Sequence, residues 1–431
     1  MSFEFALCIA AVLFIAALGA PVALSMIAGS IFYLFITGQD LALAGEQIIQ
    51  GLYNSFVLLA VPLFIVAANI MNAGAISDRL LQFCVALVGH LRGGLGHVNI
   101  LSSLIFSGMS GSAVADAAGV GKVIIRMMTQ NDRYPRGYAA ALTAASATIG
   151  PIIPPSIPMV IYALVSGASV GFLFIAGLVP GLIMGAVLMG MNRYLSARKD
   201  VVIEERVPRR QLPMITWRAL PTLMMPVILL YGIYGGVTTP TEAAAVATAY
   251  ALLLAAVVYR SVTASELFEC FRDSARSSAS VGLIIGAALV FNYIVATEGI
   301  PQAIATQLGS WDLSPLQFLL LVNLIFLLLG CLLDATTVIL VVVPLLVPAC
   351  RELGVDLIHF GIVTMVNLMI GLITPPYGIL LFVINGTTKI PISEIIRNVM
   401  PFLGVLIAAL LVITALPDLV LFMPRLFGYA G

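Results

Sequence analysis

The feature that most constrains this chain is an apolar stretch interrupted in the same way twice. Ile149-Gly150-Pro151-Ile152-Ile153-Pro154-Pro155 leads on to Pro180, and Ile370-Gly371-Leu372-Ile373-Thr374-Pro375-Pro376 leads on to Pro401. The leading Ile, the Gly, the paired Pro and the distal Pro all recur at one constant offset, without a gap. Inside a helix, proline removes an amide donor and clashes with the preceding turn, so each stretch must unwind. The surroundings are those of a membrane protein: 61% of the 431 residues are hydrophobic and 9% charged, against about 25% charged in a soluble chain. Unwound backbone at membrane depth is tolerated only where it is buried in protein or lines a cavity. Two such breaks in corresponding halves point to the binding site of a transporter.

The rest of the composition narrows the class. Twenty basic and twenty acidic residues balance, so nothing suggests a nucleic-acid partner. Cys8, Cys84, Cys270, Cys331 and Cys350 are scattered through apolar runs and read as small buried hydrophobes, not metal or redox ligands. The N-terminal apolar run lacks a basic leader and continues to Phe35, so it reads as a retained helix. No HExxH, P-loop or Cys/His cluster supports catalysis or ATP hydrolysis. Gly108-Met109-Ser110-Gly111 matches the GxSG of intramembrane serine proteases, but His90, His97 and His359 fall near segment ends and read as interfacial. Trp217 and Trp311 read as belt residues.

The chain divides into an N-terminal scaffold segment (1–38), a first repeat (39–192), a basic linker (193–218), a scaffold helix pair (219–260) and a second repeat (261–431). Residues 3–37 exceed the ~20 residues of one crossing and are compatible with one tilted helix or a tight pair broken at Gly19 and Pro21. Amphipathic arms follow in each half, Asp40–Ser55 and Thr263–Ser277, the second opened by a Thr263/Glu266 capping box. Thr239-Pro240-Thr241-Glu242 reads as another.

Charge sets the topology. If Leu101–Met128 is a hairpin turning at Ser110–Ser112, and Ala139–Val165 is the broken crossing helix, then Arg126, Arg133 and Arg136 share a side with Arg193, Arg198, Lys199, Arg206, Arg209, Arg210 and Arg218. Arg79, Arg92, Arg260 and Lys389 join them, and the positive-inside tendency makes that side cytoplasmic. The fold expected is an all-α polytopic membrane protein: an inverted-topology repeat with two re-entrant hairpins and two broken helices, hairpin one entering from the cytoplasm and hairpin two from outside. The N-terminus is expected in the cytoplasm.

Asp116 and Asp334 stand just past the two hairpin tips, at a separation that nearly matches the offset of the breaks. A carboxylate at mid-bilayer costs roughly 2.5–3.5 kcal/mol and needs a partner. Each Asp either caps the returning half-helix or serves a cation. Hydroxyls cluster around both: Ser110, Ser112 and Ser156 with Asp116, and Thr336, Thr337 and Thr374 with Asp334. Any one of these could merely bond back to its own turn, but clustering at both tips and both breaks is unexplained by that. With no long basic side chain nearby except Lys122, Na⁺ is the favoured cation, and half-helix N-termini aimed at the same space favour an anionic guest.

Phe106-Ser107-Gly108-Met109-Ser110-Gly111-Ser112-Ala113-Val114-Ala115-Asp116, Ala147-Thr148-Ile149-Gly150-Pro151-Ile152-Ile153-Pro154-Pro155-Ser156-Ile157-Pro158, Thr239-Pro240-Thr241-Glu242-Ala243 and the second break together resemble the large, DctM-type membrane subunit of TRAP transporters. The resemblance implies Na⁺-driven import of an organic acid (a C4-dicarboxylate, sugar acid or sialic acid) across the bacterial inner membrane by an elevator mechanism. It implies a P-type periplasmic substrate-binding protein and a separate Q-type small four-helix membrane subunit as partners, no cofactor beyond Na⁺ as coupling ion, and no enzymatic activity. Carried over by motif, one Na⁺ site would use Ser110 or Ser112 with Gly150, Ile153 and Pro155, and Asp116 nearby. The other would use Gly330, Asp334, Thr337 and Gly371, with Thr336, Thr374 and Tyr377 adjacent. Substrate would meet Ser112, Pro154, Ser156, Thr374 and Pro375. Asp334 is expected to matter more for ion coupling than Asp116. A stand-alone Na⁺-coupled carboxylate carrier or exchanger, needing no binding protein, is the alternative.

Overall fold

The computed structural model describes residues 2–73, 76–198 and 204–431, and the described chain is helical throughout, with no strand. Lys199 of the basic linker lies outside the described residues. Seven described helices are long and apolar enough to cross a bilayer, or eight if one bent pair is counted as a span.

The N-terminal run is a pair, not one tilted helix. Helix α1 (Phe3–Ala17) and α2 (Val22–Ile36) are separated where Gly19 takes a φ of +92° and Pro21 offers no amide. They cross closely because Gly29 has no side chain: a Cβ there would strike Val12. The Cys8 thiol donates to the Gly29 carbonyl at 3.3 Å. Ser2 and Tyr33, at opposite ends of the pair, both donate to the Glu298 carboxylate, at 2.6 and 2.7 Å. The pair therefore returns the chain to the face it left.

Repeat one opens with the amphipathic arm α3 (Ala42–Asn54), a 3₁₀ turn (Phe56–Leu59) and α4 (Ala60–Asn72), and the chain bends by 75° between the arm and this span, at Ser55. After α5 (Ile76–Val88) comes hairpin one: α6 (Gly94–Ser110), then α7 (Ala113–Ala118) and α8 (Val120–Thr129). The first broken helix is α9 (Arg136–Ala147) and α10 (Ile157–Ser166), followed by α11 (Val170–Ser196). Helices α12 (Leu212–Tyr234) and α13 (Pro240–Leu253) follow and pack against each other.

Repeat two opens differently. Its arm and first span are one continuous helix, α14 (Ala264–Thr297), because no counterpart of Ser55 interrupts them; at 1.5 Å per residue it is about 50 Å long. Then come α15 (Ile300–Gly309), hairpin two from α16 (Pro315–Leu332) and α17 (Ala335–Glu352), and the second broken helix from α18 (Leu357–Gly371) and α19 (Ile379–Thr388). Helices α20 (Ile392–Ala415) and α21 (Pro417–Leu426) close the chain, split before Pro417. Both anticipated capping boxes form, at Thr239/Glu242 and Thr263/Glu266, and a third at Ser314/Gln317 opens hairpin two.

Contacts across the basic ends agree with the charge pattern. Arg133 pairs with Glu204 at 2.5 Å, Arg92 donates to the Ala197 carbonyl at 3.5 Å, and the Arg79 guanidinium sits 3.9 Å from the Tyr259 ring centroid. The loops after α5, α8, α11 and α13 thus share one face. Helix α14 leaves that face beside Arg260 and reaches the opposite one at Glu298, where Ser2 is held. Ser2 therefore lies at the end of α14 away from Arg260, because the Gly19–Pro21 break doubles the first segment back.

Two of the histidines, His97 and His359, stand in the first turns of α6 and α18 and are buried in the protein, 6% and 2% exposed. Each finds a carbonyl for its Nε2, Arg92 O at 3.1 Å and Ile413 O at 3.0 Å. Trp217 and Trp311 are exposed, and the cysteines are free, all buried except the half-buried Cys270.

The repeats interlock. Helix α10 packs on α17 of hairpin two, and α19 packs on α7 of hairpin one. Within each repeat, the first arm of the hairpin is bridged to the first half of the broken helix. Ser103 donates to Ser146 at 3.0 Å, and Asn367 donates to Asn323 Oδ1 at 2.9 Å. Ser146 and Asn367 are related by the same offset as the two breaks, and Ser103 and Asn323 fall one residue from it, so the braces occupy corresponding places.

Candidate functional site

Each hairpin tip is seated on the break of its own repeat. In repeat one, α6 ends at Ser110, Gly111 turns the chain at φ +61°, and Ser112 caps α7, accepting from the Ala115 amide at 3.4 Å. A side chain at 111 would strike the Pro155 carbonyl, so only glycine lets the turn lie on the break. The break runs from Thr148 to Ser156 and is buried. It contains a cis peptide at Pro154–Pro155. Ser156 caps α10, accepting from Met159 N at 3.3 Å, and its hydroxyl donates back to the Pro151 carbonyl. Ile152 and Ile153 are held from behind by α11, where Gly177 and Gly181 leave the room they occupy.

Asp116 sits one turn into α7 and is 4% exposed. Because Ser112 already caps that helix, Asp116 is not needed as a cap. Its Oδ1 accepts from the Ser110 hydroxyl, and its buried Oδ2 has no hydrogen-bond partner among the described residues. That free oxygen points at Gly150: a Cβ there would be 2.6 Å from it. Among the described residues no basic side chain pairs with Asp116. An uncompensated buried carboxylate costs several kcal/mol, and the oxygens gathered beside Gly150, those of Ser110, Asp116 and the Ala147 carbonyl, are of the kind a hard cation takes as ligands. The Ser110 hydroxyl is directed to Asp116 and to the Ser112 carbonyl.

Repeat two uses related parts differently. Here Leu333 precedes the helix and Asp334 itself is the cap of α17. Its Oδ1 accepts from Thr336 N at 2.8 Å, and its Oδ2 from Thr337 N at 3.3 Å and the Thr337 hydroxyl at 2.5 Å. Gly330 and Gly371 meet backbone to backbone: a Cβ on Gly371 would be 2.7 Å from the Gly330 carbonyl carbon. The Cys331 thiol donates to the Thr374 carbonyl at 3.2 Å, while the Thr374 hydroxyl bonds back to Ile370 O at 2.8 Å. The second break also holds a cis peptide, Pro375–Pro376. Thr336 and Pro375 are half-buried, and Tyr377 is 60% exposed.

The residues singled out from sequence thus gather at two seats. Ser110, Ser112, Asp116, Gly150, Ile153, Pro154, Pro155 and Ser156 surround the first, and Gly330, Asp334, Thr336, Thr337, Gly371, Thr374, Pro375 and Tyr377 the second. Sequence reasoning missed Gly177 and Gly181, which back the first break, and the Asn323–Asn367 and Ser103–Ser146 braces. The signal was present: Ser146 and Asn367 are polar residues in apolar helices at the repeat offset.

Comparison with known proteins gives a consistent result. Residues 8–419 match the family described as tripartite ATP-independent periplasmic transporter, DctM component. A sialic acid TRAP transporter large permease protein, SiaM, of Vibrio cholerae is 41% identical over 413 residues, 95% of this chain and 96% of its own. A C4-dicarboxylate TRAP transporter large permease protein, DctM, of Pseudomonas aeruginosa is 40% identical over 373 residues, 86% and 87% of the two chains. Among solved structures, the Alcanivorax borkumensis YdaH transporter, described as having an unusual topology, superposes with a TM-score of 0.61 at 14% identity, covering 86% of this chain and 87% of that one. That likeness concerns the fold alone.

Proposed function

This chain belongs to the DctM component family of tripartite ATP-independent periplasmic transporters, and from that premise we propose that it is the large permease subunit of a Na⁺-coupled importer of an organic acid anion. Sialic acid and C4-dicarboxylates, named for two relatives, mark the substrate class. The observation that carries the reading is the paired seating of hairpin tips on broken helices, with a buried carboxylate oxygen left free at the first.

In this mechanism a Na⁺ ion enters beside Asp116, Ser110 and Gly150, compensating the carboxylate and fixing tip against break. A second enters between Gly330, Gly371 and the oxygens near Thr374. The substrate carboxylate then binds between the ordered seats, favoured by the amide ends of the half-helices. Hairpins and broken helices move together as the transport unit, while the α1–α4 and α12–α14 helices and the two arms brace a static scaffold. Two Na⁺ with a monoanion move one net charge inward, worth about 2.3 kcal/mol per 100 mV. A P-type periplasmic binding protein delivers the acid, and a Q-type small membrane subunit completes the complex in the bacterial inner membrane. The basic face is cytoplasmic, which puts Ser2 on the periplasmic side.

The test is uptake into proteoliposomes carrying both membrane subunits, with a panel of acid-loaded binding proteins, across imposed Na⁺ or K⁺ gradients. Uptake that needs both the Na⁺ gradient and the binding protein supports the reading. Uptake without binding protein gives the stand-alone carrier instead, and uptake indifferent to Na⁺ rejects coupling.

A further inference from the structure

A cavity of about 420 Å³ opens on the basic face between the two repeats. One wall is a single face of α8, where Lys122 and Arg126 lie one turn apart; the other is the end of α19 with Lys389, the start of α20, and Arg136 at the start of α9. The one carboxylate in its lining, Glu394, accepts from the Gly137 amide at 2.9 Å. None of the four cations forms an ion pair among the described residues. Four cations and one carboxylate leave a net charge of +3 around one void.

Local helix chemistry accounts for half of this. Arg126 in the last turn of α8 and Lys389 at the end of α19 complement helix C-termini. Lys122 and Arg136 do the opposite: each stands in the first turn of its helix, where a cation is disfavoured. The positive-inside tendency asks for cations on this face, but not for four around one cavity, two of them opposing the helix dipole. A bound oxyanion compensates all four.

The position says which oxyanion. Helix α19 leads from this cavity straight back to the second break, and α7, which packs on α19, leads back to the first tip. Resting on the transport reading, we propose that the cavity is an exit-side oxyanion site that receives the carboxylate of the transported acid after it leaves the two seats. Lys122, Arg126, Arg136 and Lys389 are its ligands.

Succinate is a suitable probe, because binding can be read without transport. Purified protein in nanodiscs of zwitterionic lipid is treated with an amine-acylating reagent, and modification of Lys122 and Lys389 is followed by mass spectrometry at constant ionic strength. With succinate at about ten times its apparent dissociation constant, acylation of both should slow roughly tenfold, and Arg126→Gln/Arg136→Gln should abolish that protection. No protection overturns the proposal. So does protection by phosphatidylglycerol in the disc without any by succinate, which would make the occupant a lipid phosphate. In uptake assays, Lys122→Gln/Arg126→Gln should lower turnover while leaving the Na⁺ concentration for half-maximal rate unchanged; a shift in that concentration instead overturns an exit-side role. Because protection needs neither Na⁺ nor a binding protein, it stands or falls separately from the transport reading.

Discussion

The two tips answer the same structural demand in different ways. A half-helix restarting in an apolar environment needs an oxygen to take its first amides. At tip one a serine does this, so the aspartate one turn further on is released; at tip two no serine precedes the helix and the aspartate does it alone. Aligned on their caps, Ser112 matches Asp334, and Asp116 matches Val338. The two aspartates are not counterparts, although their separation nearly matches that of the breaks. The seats differ in exposure as well: Ser110 and Asp116 are 2% and 4% exposed, whereas Tyr377 and Leu332 at the second are 60% and 59%. An inverted repeat can thus hold equivalent backbone and unequal chemistry. Asp334 is committed to capping its helix, whereas Asp116 keeps one oxygen uncommitted.

The comparison breaks most visibly under substitution of the carboxylates. Asp116→Asn should reduce Na⁺-gradient-driven uptake by about a hundredfold or more, the loss of roughly 3 kcal/mol of ion binding, with the folded protein retained. Asp334→Asn keeps a good capping oxygen and should keep most of the sodium response. Equal losses in the two variants would erase the distinction between the seats.

Next in size are the glycines. Gly371→Ala forces a Cβ to 2.7 Å from Gly330 backbone, and Gly150→Ala to 2.6 Å from Asp116 Oδ2. Overpacking of this kind costs about 1–3 kcal/mol, read as a lower midpoint of thermal unfolding. The second-seat variant should suffer more, since backbone cannot rotate away as a carboxylate can. A harmless Gly371→Ala would mean the second tip and break are not in contact.

Asp334→Ala should then destabilise by about 0.5–2 kcal/mol, the usual cost of an N-cap, and Asp334→Ser should recover most of it. Failure of serine to rescue would show that Asp334 does more than cap. Smallest are the braces. Asn367→Ala leaves Asn323 without one buried partner and should cost about 1 kcal/mol, against less for Ser103→Ala at the half-buried equivalent. Thermal unfolding of the two variants side by side gives the order.

Much of this was legible beforehand. The Gly-Pro breaks, the hairpin turn at Ser110–Ser112, the capping boxes and the shared basic face follow from proline sterics, capping chemistry and charge placement. What was not legible was settled by competition between neighbours. Ser112 and Asp116 both qualify as caps, and only register shows that the serine takes the role. Whether Gly19 and Pro21 kink a helix or reverse it is decided by the packing of α1 on α2, where the bare Gly29 admits Val12. Likewise, continuity of α14 could not be told from an arm followed by a span, because Ser277–Ser280 permits either.

The central claim, that the first seat holds Na⁺ through Asp116, is tested most directly by the unfolding midpoint of the purified protein as Na⁺ replaces K⁺ at constant ionic strength. An ion that binds only the folded state raises the midpoint as its concentration passes the dissociation constant. The rise should be present in the wild-type protein and in Asp334→Asn, and strongly reduced in Asp116→Asn. A full Na⁺-dependent rise in Asp116→Asn, or none in the wild type, would contradict it.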